Sequence, residues 1–345
     1  MTEEIIITKP DDMHLHLRDG EILKYVSQDT AKQFARAVVM PNLYDPIKTV
    51  DMANNYYQEI KKYTSHADFE PLMAIYFSDA LCADELKKIK DSPNVIGIKL
   101  YPAGVTTNSK NGVSDIDACF PIFEVMEKLD IPLLIHGEVN DPNVDIFDRE
   151  KFFIDRYLIL LHQTFPNLRI VFEHVSTKEA IDFVLSSGRT VASTITLQHL
   201  LFNRNDLFSG GISPHHYCLP VLKREEHRNA VLKAALSDNP KFFLGTDSAP
   251  HFKKQKETAC GCAGIYSALT AIELYASIFE KNNAINLLEN FSSKYGADFY
   301  NLPYNSSKIK LTKQITEIPE SIKIGNEEII PLLAGESIDW YFSAL

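Results

Sequence analysis

Eight short apolar runs alternate with helical stretches along this chain, and five of the runs end on His, Lys or Asp. The runs lie near residues 11–16, 36–40, 71–77, 95–100, 131–136, 169–174, 190–195 and 242–246. Short apolar runs separated by helices read as strands of a parallel sheet covered on both faces. Between them, residues 117–129 place Cys119, Ile122, Phe123, Met126 and Leu129 on one stripe, the pattern of an amphipathic helix. Residues 49–63, 149–165, 177–187 and 224–236 behave alike, and Thr177 with Ser186-Ser187-Gly188 supplies start and stop signals. Eight alternating units predict an α/β fold, a (β/α)8 TIM barrel. A doubly wound open sheet fits less well, because no glycine-rich dinucleotide turn follows the first run.

In a closed parallel barrel the strand C-termini converge on one face, where active sites lie. His14-Leu15-His16, Lys99, His136, His174 and Asp247 all stand at such ends. A lone His-x-His pair arises readily by chance among eleven histidines. Recurrence of one local pattern at separate strand ends does not. Strand alternation puts His14, His16 and Arg18 on one face and Leu15 and Leu17 on the other.

The order His-x-His, Lys, His, His, Asp is that of a two-metal hydrolase. Two divalent ions about 3.5–4 Å apart can act together on water and a carbonyl, and neutral imidazoles with a carboxylate suit zinc. His14, His16 and Asp247 are expected to hold one ion, and His136 and His174 the other. Lys99 is the odd member, since an ammonium beside two dications is repelled. Taken alone it reads as a buried, salt-bridged lysine. Within this ligand set it reads as a carbamate, a carboxylate formed from neutral lysine and CO₂ that can reach both ions.

The net charge of −11 argues against a nucleic acid or an anionic membrane as partner. Met1-Thr2-Glu3-Glu4 is acidic and Ile5-Ile6-Ile7 short, so no signal peptide is expected, and no run reaches membrane-spanning length. Five scattered cysteines fit reduced thiols and a cytoplasmic location. Cys260-Gly261-Cys262 reads as a tight turn, lacking a second pair at zinc spacing. Thirteen residues precede His14, too few for a β-sandwich in front of the barrel. One domain is expected over residues 1–345, with 300–345 as an extension packed on the barrel.

Asp11-Asp12-Met13-His14-Leu15-His16-Leu17-Arg18-Asp19-Gly20, Met40-Pro41-Asn42, Lys99-Leu100-Tyr101-Pro102-Ala103, His136-Gly137-Glu138 and Gly245-Thr246-Asp247-Ser248-Ala249-Pro250-His251 closely resemble the dihydroorotase family. The likeness is to its short, single-domain bacterial type, within the amidohydrolase superfamily, and covers nearly the whole chain. It implies a homodimeric binuclear-zinc barrel with N6-carboxylated Lys99, two Zn²⁺ per subunit, and His14, His16, Lys99, His136, His174 and Asp247 as ligands. The implied reaction is the reversible cyclisation of N-carbamoyl-L-aspartate to dihydroorotate in pyrimidine biosynthesis, with Asp247 as catalytic base.

The resemblance further implies that His16, Arg18, Asn42, Thr106, Thr107, His136, Leu219, His251 and Ala263 contact substrate. Arg18 offers a planar fork matched to a carboxylate, with Asn42 and His251 as companions. Backbone groups of Leu219 and Ala263 are implied to read the ring amides. Thr106 and Thr107 sit on a small, polar loop, 103–112, implied to act as a lid. His162, His199, His215, His216 and His227 read as structural. Two alternatives remain at this stage: another cyclic amidase of hydantoinase or allantoinase type, and a metal-free scaffold.

Overall fold

Eight parallel strands stand side by side in chain order: β2 (Asp11–Leu15), β3 (Arg36–Val39), β4 (Glu70–Tyr76), β5 (Val95–Leu100), β6 (Leu133–Ile135), β7 (Ile170–Phe172), β8 (Val191–Ile195) and β9 (Phe242–Leu244), with β1 (Glu4–Thr8) outside the ring. This computed structural model describes residues 3–65 and 67–345; Met1 and Thr2 of the acidic opening stretch, and His66, lie outside it. Seven of the eight expected runs contain their strand, and β4 starts one residue before the run expected at 71–77. The ring closes where the Asp247 amide donates to the His14 carbonyl at 2.8 Å and the His16 amide to the Ser248 carbonyl at 2.9 Å, beside a parallel bridge between Leu15 and Ser248.

The alternation of β-strands, interrupted in β2 by a register shift between Asp12 and Leu15, sorts side chains into two apolar layers. Met13, Val38, Leu72, Ala74, Leu134, Val171, Ala192 and Phe243 fill the barrel interior, with Tyr300 packed among them. Leu15, Val39, Ile75, Ile98, Ile135, Phe172 and Ile195 face the surrounding helices. The interior is therefore a packed core that closes the barrel below the site. Asp11 and Arg36, partners in register on β2 and β3, form a buried two-pronged pair at 2.9 and 2.6 Å at the strands' starts.

The helices begin where side chains can cap them. Thr49 accepts the Met52 amide at the head of Val50–Thr64, and Thr177 accepts the Ala180 amide at the head of Lys178–Ser186. Pro121 stands in the first turn of Phe120–Leu129, where its missing N–H costs nothing, and Asp130 ends that helix in a left-handed turn. The helix expected over 149–165 is interrupted by a π-turn at Ile154–Leu158.

Beyond residue 300 run β10 (Lys308–Glu317), β11 (Ile322–Ile324), β12 (Glu327–Ile329) and β13 (Ser337–Ala344). β10 pairs antiparallel with β1 on one side and β13 on the other. The pairing of Ile5-Ile6-Ile7 with β10 is a contact the sequence reading did not anticipate. Trp340 is fully buried in this sheet, and its indole N–H donates to Glu280 at 3.1 Å.

Candidate metal centre

Every strand-end ligand type reaches the same end of the barrel. The donor atoms of His14, His16 and Asp247 all lie within 4.8 Å of one another. Asp247 Oδ1 sits 3.1 Å from His16 Nε2 and 3.4 Å from His14 Nε2. The His174 ring centroid is 5.0 Å from that of His14 and 4.7 Å from that of His136. Lys99 is completely buried, and its Nζ has no hydrogen-bond partner. The Nζ lies over the Tyr101 ring, 5.3 Å from its centroid.

The electrostatics of Lys99, His16, His174 and Asp247 match a cation site, whereas His14, despite its burial, is held above the usual histidine range by Glu173 and Asp247. Burial lowers the Lys99 ammonium to about 8, partly opposed by Glu173 and Asp247. Burial takes His16 down to about 3, and His174 well below the usual histidine range with help from His136 and Lys99. Burial by itself would raise Asp247, but hydrogen bonds from His14 and His16 hold it well below the carboxylate range. Neutral imidazoles and an ionised carboxylate are the protonation states that ligate a divalent metal. The uncommitted Nδ1 of His174 and Nζ of Lys99, both buried, are donors in search of a partner. The residues present fit a metal pair.

Local backbone geometry aims these groups. Arg18, His174 and Asp247 have φ of 61°, 42° and 46°, a left-handed conformation that costs a side-chain-bearing residue about 1 kcal/mol or more. β2 ends at Leu15, so strand alternation does not carry through to Arg18 as the sequence reading expected. The left-handed turn at Arg18 brings its side chain to the site instead. Gly245 permits the close approach of β9: a Cβ there would stand 2.7 Å from Thr194 Cβ and 3.0 Å from His14 Cβ.

A ring of buried carboxylates behind the ligands escaped the sequence reading. Glu138 Oε2 is 2.8 Å from His136 Nε2. Glu173 accepts the Thr194 hydroxyl at 2.5 Å and lies 2.8 Å from His14 Nδ1, close but without the alignment of a hydrogen bond. Asp12 accepts the amides of His14 at 3.1 Å and Thr246 at 2.9 Å, and the Thr246 hydroxyl at 2.6 Å. Such partners fix ligand orientation. In the sequence each lies within two positions of a proposed ligand.

Above the candidate ligands lies a narrow cavity lined by His14, His16, Arg18, Asn42, Tyr101, Thr106, Thr107, His136, His174, Leu219, Asp247, Ala249, Ala263 and Gly264. Arg18 donates through Nε to the Pro250 carbonyl at 3.1 Å and places Nη2 2.9 Å from His251 Nε2. That same His251 nitrogen is 3.0 Å from the Ala263 carbonyl. Burial, with Arg18 and Lys256 nearby, takes His251 down to about 2. A neutral imidazole nitrogen either donates or accepts, so it can satisfy one of these neighbours and not both. Asn42 Oδ1 is buried without a partner, while its Nδ2 donates to the Thr107 carbonyl at 3.0 Å. Asn108 returns a bond to the Asn42 carbonyl at 3.0 Å, and the Thr107 hydroxyl reaches the Ala263 carbonyl at 3.5 Å. The 103–112 loop is thus drawn down over the cavity.

The remaining histidines named in the sequence stand apart from the cavity lining. His199 is held between the Thr196 hydroxyl and the Pro220 carbonyl, His215 pairs with Glu257, and His216 stacks on Phe202. His227 accepts the Lys178 amide, and the His162 ring meets the edge of Phe183. Cys260 and Cys262 are free thiols flanking a turn in which the Gly261 amide donates to the Thr258 carbonyl at 3.1 Å.

Comparison with known proteins bears on this arrangement directly. The Amidohydrolase family model matches residues 6–314. A dihydroorotase of Picosynechococcus sp. is 56% identical over 342 residues, covering 99% of both chains. One of Nitrosomonas eutropha is 54% identical over 343 residues, again 99% of both. The crystal structure of Saccharomyces cerevisiae dihydroorotase in complex with 5-fluoroorotic acid superposes with a TM-score of 0.92 at 34% identity, covering 99% of each chain.

Proposed function

Because the chain belongs to the amidohydrolase family and, within it, to the dihydroorotases, we propose that the barrel mouth opens and closes a cyclic amide, its ligand cluster holding metal and its rim holding the substrate carboxylate. The enzyme interconverts N-carbamoyl-L-aspartate and (S)-dihydroorotate in pyrimidine (UMP) biosynthesis. Its cofactor is a metal. In the finer reading His14, His16, His136, His174, Asp247 and N6-carboxylated Lys99 would hold two Zn²⁺ per subunit. When bound, such a pair polarises a carbonyl and makes water nucleophilic at neutral pH.

The chain's own residues do the rest. The Arg18 fork takes the carboxylate, with the Asn42 amide and His251 beside it. A carboxylate on Arg18 draws Nη2 toward itself and leaves the His251 N–H to the Ala263 carbonyl, which removes the conflict at that nitrogen. Leu219 and Ala263 offer backbone groups to the ring amides. Thr106 and Thr107 close over the ring, while His16 and His136 line its reacting edge. Asp247 accepts the proton of the attacking water and passes it to the departing ring nitrogen; condensation runs the transfer backwards. Carbamoyl aspartate carries two carboxylates and dihydroorotate one, so closing the ring consumes a proton, and low pH favours closure.

The observation that carries this reading is the Arg18–His251 pair at the rim of the cavity floored by the ligand cluster. Among the described residues no helix is long and apolar enough to cross a membrane. The reading also takes residues 1–345 as one domain with 300–345 as an extension on the barrel, in a cytoplasmic homodimer. The test is an ultraviolet assay of dihydroorotate ring opening alongside metal analysis of the same sample. Protein loaded with metal yet inert toward dihydroorotate in both directions would end the reading.

A further inference from the structure

Lys256 stands outside the ligand set and the carboxylate rim, yet its side chain is nearly inaccessible, 5% exposed. Its ammonium donates to three backbone carbonyls: Tyr217 at 3.1 Å, Cys262 at 3.0 Å, and Gly264. Three protons meet three acceptors. Among the described residues no carboxylate pairs with it, so one buried positive charge is offset by peptide dipoles alone.

Those carbonyls belong to the two backbone stretches that flank the cavity. Tyr217 lies two residues before Leu219, and Cys262 and Gly264 bracket Ala263; Leu219, Ala263 and Gly264 all line the cavity. The Gly264 amide returns a bond to the Tyr217 carbonyl at 2.9 Å, completing the tie. Gly264 has φ of +145°, and a Cβ there would stand 2.7 Å from the Ala249 carbonyl and 3.0 Å from His251. No slack remains between these stretches and the carboxylate rim.

We infer that Lys256 is a positioning residue that sets the spacing of the Tyr217–Leu219 and Cys262–Gly264 stretches and lends its charge to the adjoining anion subsite, and so governs substrate affinity rather than the bond-making step. The inference deepens the dihydroorotase reading and rests on it. Methionine keeps the length of the stem but leaves the Cys262 and Gly264 carbonyls without a donor, the Tyr217 carbonyl with the Gly264 amide alone, and the subsite without the charge. Burial holds the ammonium near 8, opposed by Cys218 and Cys262 and assisted by Arg18, consistent with a cation retained for its position.

The experiment compares wild type, Lys256→Met and Lys256→Arg in the dihydroorotate assay, with metal content and circular dichroism as controls. Expected is a KM at least tenfold higher for Lys256→Met, kcat within about threefold, unchanged metal content, and partial recovery of KM in Lys256→Arg. A KM within twofold of wild type, or a fall in kcat with KM unmoved, overturns the inference. Should Lys256→Met fail to fold, Lys256→Gln, with two donors and no charge, takes its place under the same criteria. Absence of wild-type turnover would overturn the dihydroorotase reading and this inference with it; wild-type turnover with an unmoved variant KM overturns this inference alone.

Discussion

The amide of Asp247 donates to the carbonyl of His14 at 2.8 Å, and the Nε2 of that histidine lies 3.4 Å from Asp247 Oδ1. The first and last barrel strands meet here in backbone and side chain at once. The hydrogen bond that closes the ring also fixes the separation of two proposed ligands. Ligands carried on strand ends are held more firmly than ligands on loops, and this pair is further locked by Asp12, which grips the amides of both His14 and Thr246.

Asp247→Asn leaves the seam's backbone bond in place and removes the carboxylate proposed to shuttle the proton. Circular dichroism is expected to match wild type. Turnover in both directions should fall by roughly 10²–10⁴-fold, the range for loss of a general base. A variant that keeps a tenth of wild-type activity in either direction would show that another group moves the proton.

Lys99→Ala should lose both metal and activity. The Nζ is buried with no partner of its own, so its removal breaks no hydrogen bond of the fold and takes away the proposed bridging ligand. Short carboxylic acids added to the variant are expected to restore part of both, measured by metal analysis and by the ring-opening assay. Full metal and full turnover in the unsupplemented variant would remove the bridging role.

Arg18→Ala should act on binding. Truncating one partner of a desolvated charge pair costs ~2–5 kcal/mol, about 30- to several-thousand-fold in kcat/KM. Arg18→Lys is expected to recover little, since an ammonium lacks the two-pronged geometry and cannot reach Pro250, His251 and a carboxylate together. Steady-state kinetics on both variants decide it; near-wild-type values would place the carboxylate elsewhere.

Stability should fall as pH rises from about 4.5 to about 7 through Glu273. This carboxyl is buried and raised to about 7, despite hydrogen bonds that include one from Gln33 at 2.7 Å. A carboxyl whose folded pKa exceeds its unfolded one binds its proton more tightly when folded. Its contribution is complete below the unfolded value and is lost as pH climbs through the folded one. Glu273→Gln, which stays neutral, should be more stable than wild type above pH 7, by about 1–3 kcal/mol, and nearly equal at pH 4. Denaturant midpoints across this range provide the check, and curves that stay parallel would rule Glu273 out as the source.

The barrel was legible because its strands are buried on both faces and written as nearly uninterrupted apolar runs, so even three-residue strands such as Leu133–Ile135 announced themselves. The ligands were legible because each closes such a run. Arg18 was found for an incomplete reason, since its direction comes from a left-handed backbone that no periodicity encodes. Glu138, Glu173 and Asp12 went unread because a buried acid beside a ligand differs from an exposed one only in three dimensions. The strand at Ile5-Ile6-Ile7 was hidden because its partner lies some three hundred residues away, at Lys308–Glu317.

That distant pairing has a consequence for chain connectivity. Ile7 and Ala344 flank Ile309 from opposite sides, which lays β1 and β13 parallel on either side of β10, roughly 10 Å apart at ordinary strand spacing. A linker long enough to run back along the sheet, from the end of β13 beside Ile7 to the start of β1 beside Tyr341, could splice them, and new ends could be opened at the exposed Gly210-Gly211 turn without severing a barrel strand. A molecule rearranged in that way would keep every strand beside its present neighbours. What builds the catalytic mouth is the cyclic sequence of strands, which is indifferent to the point at which translation starts.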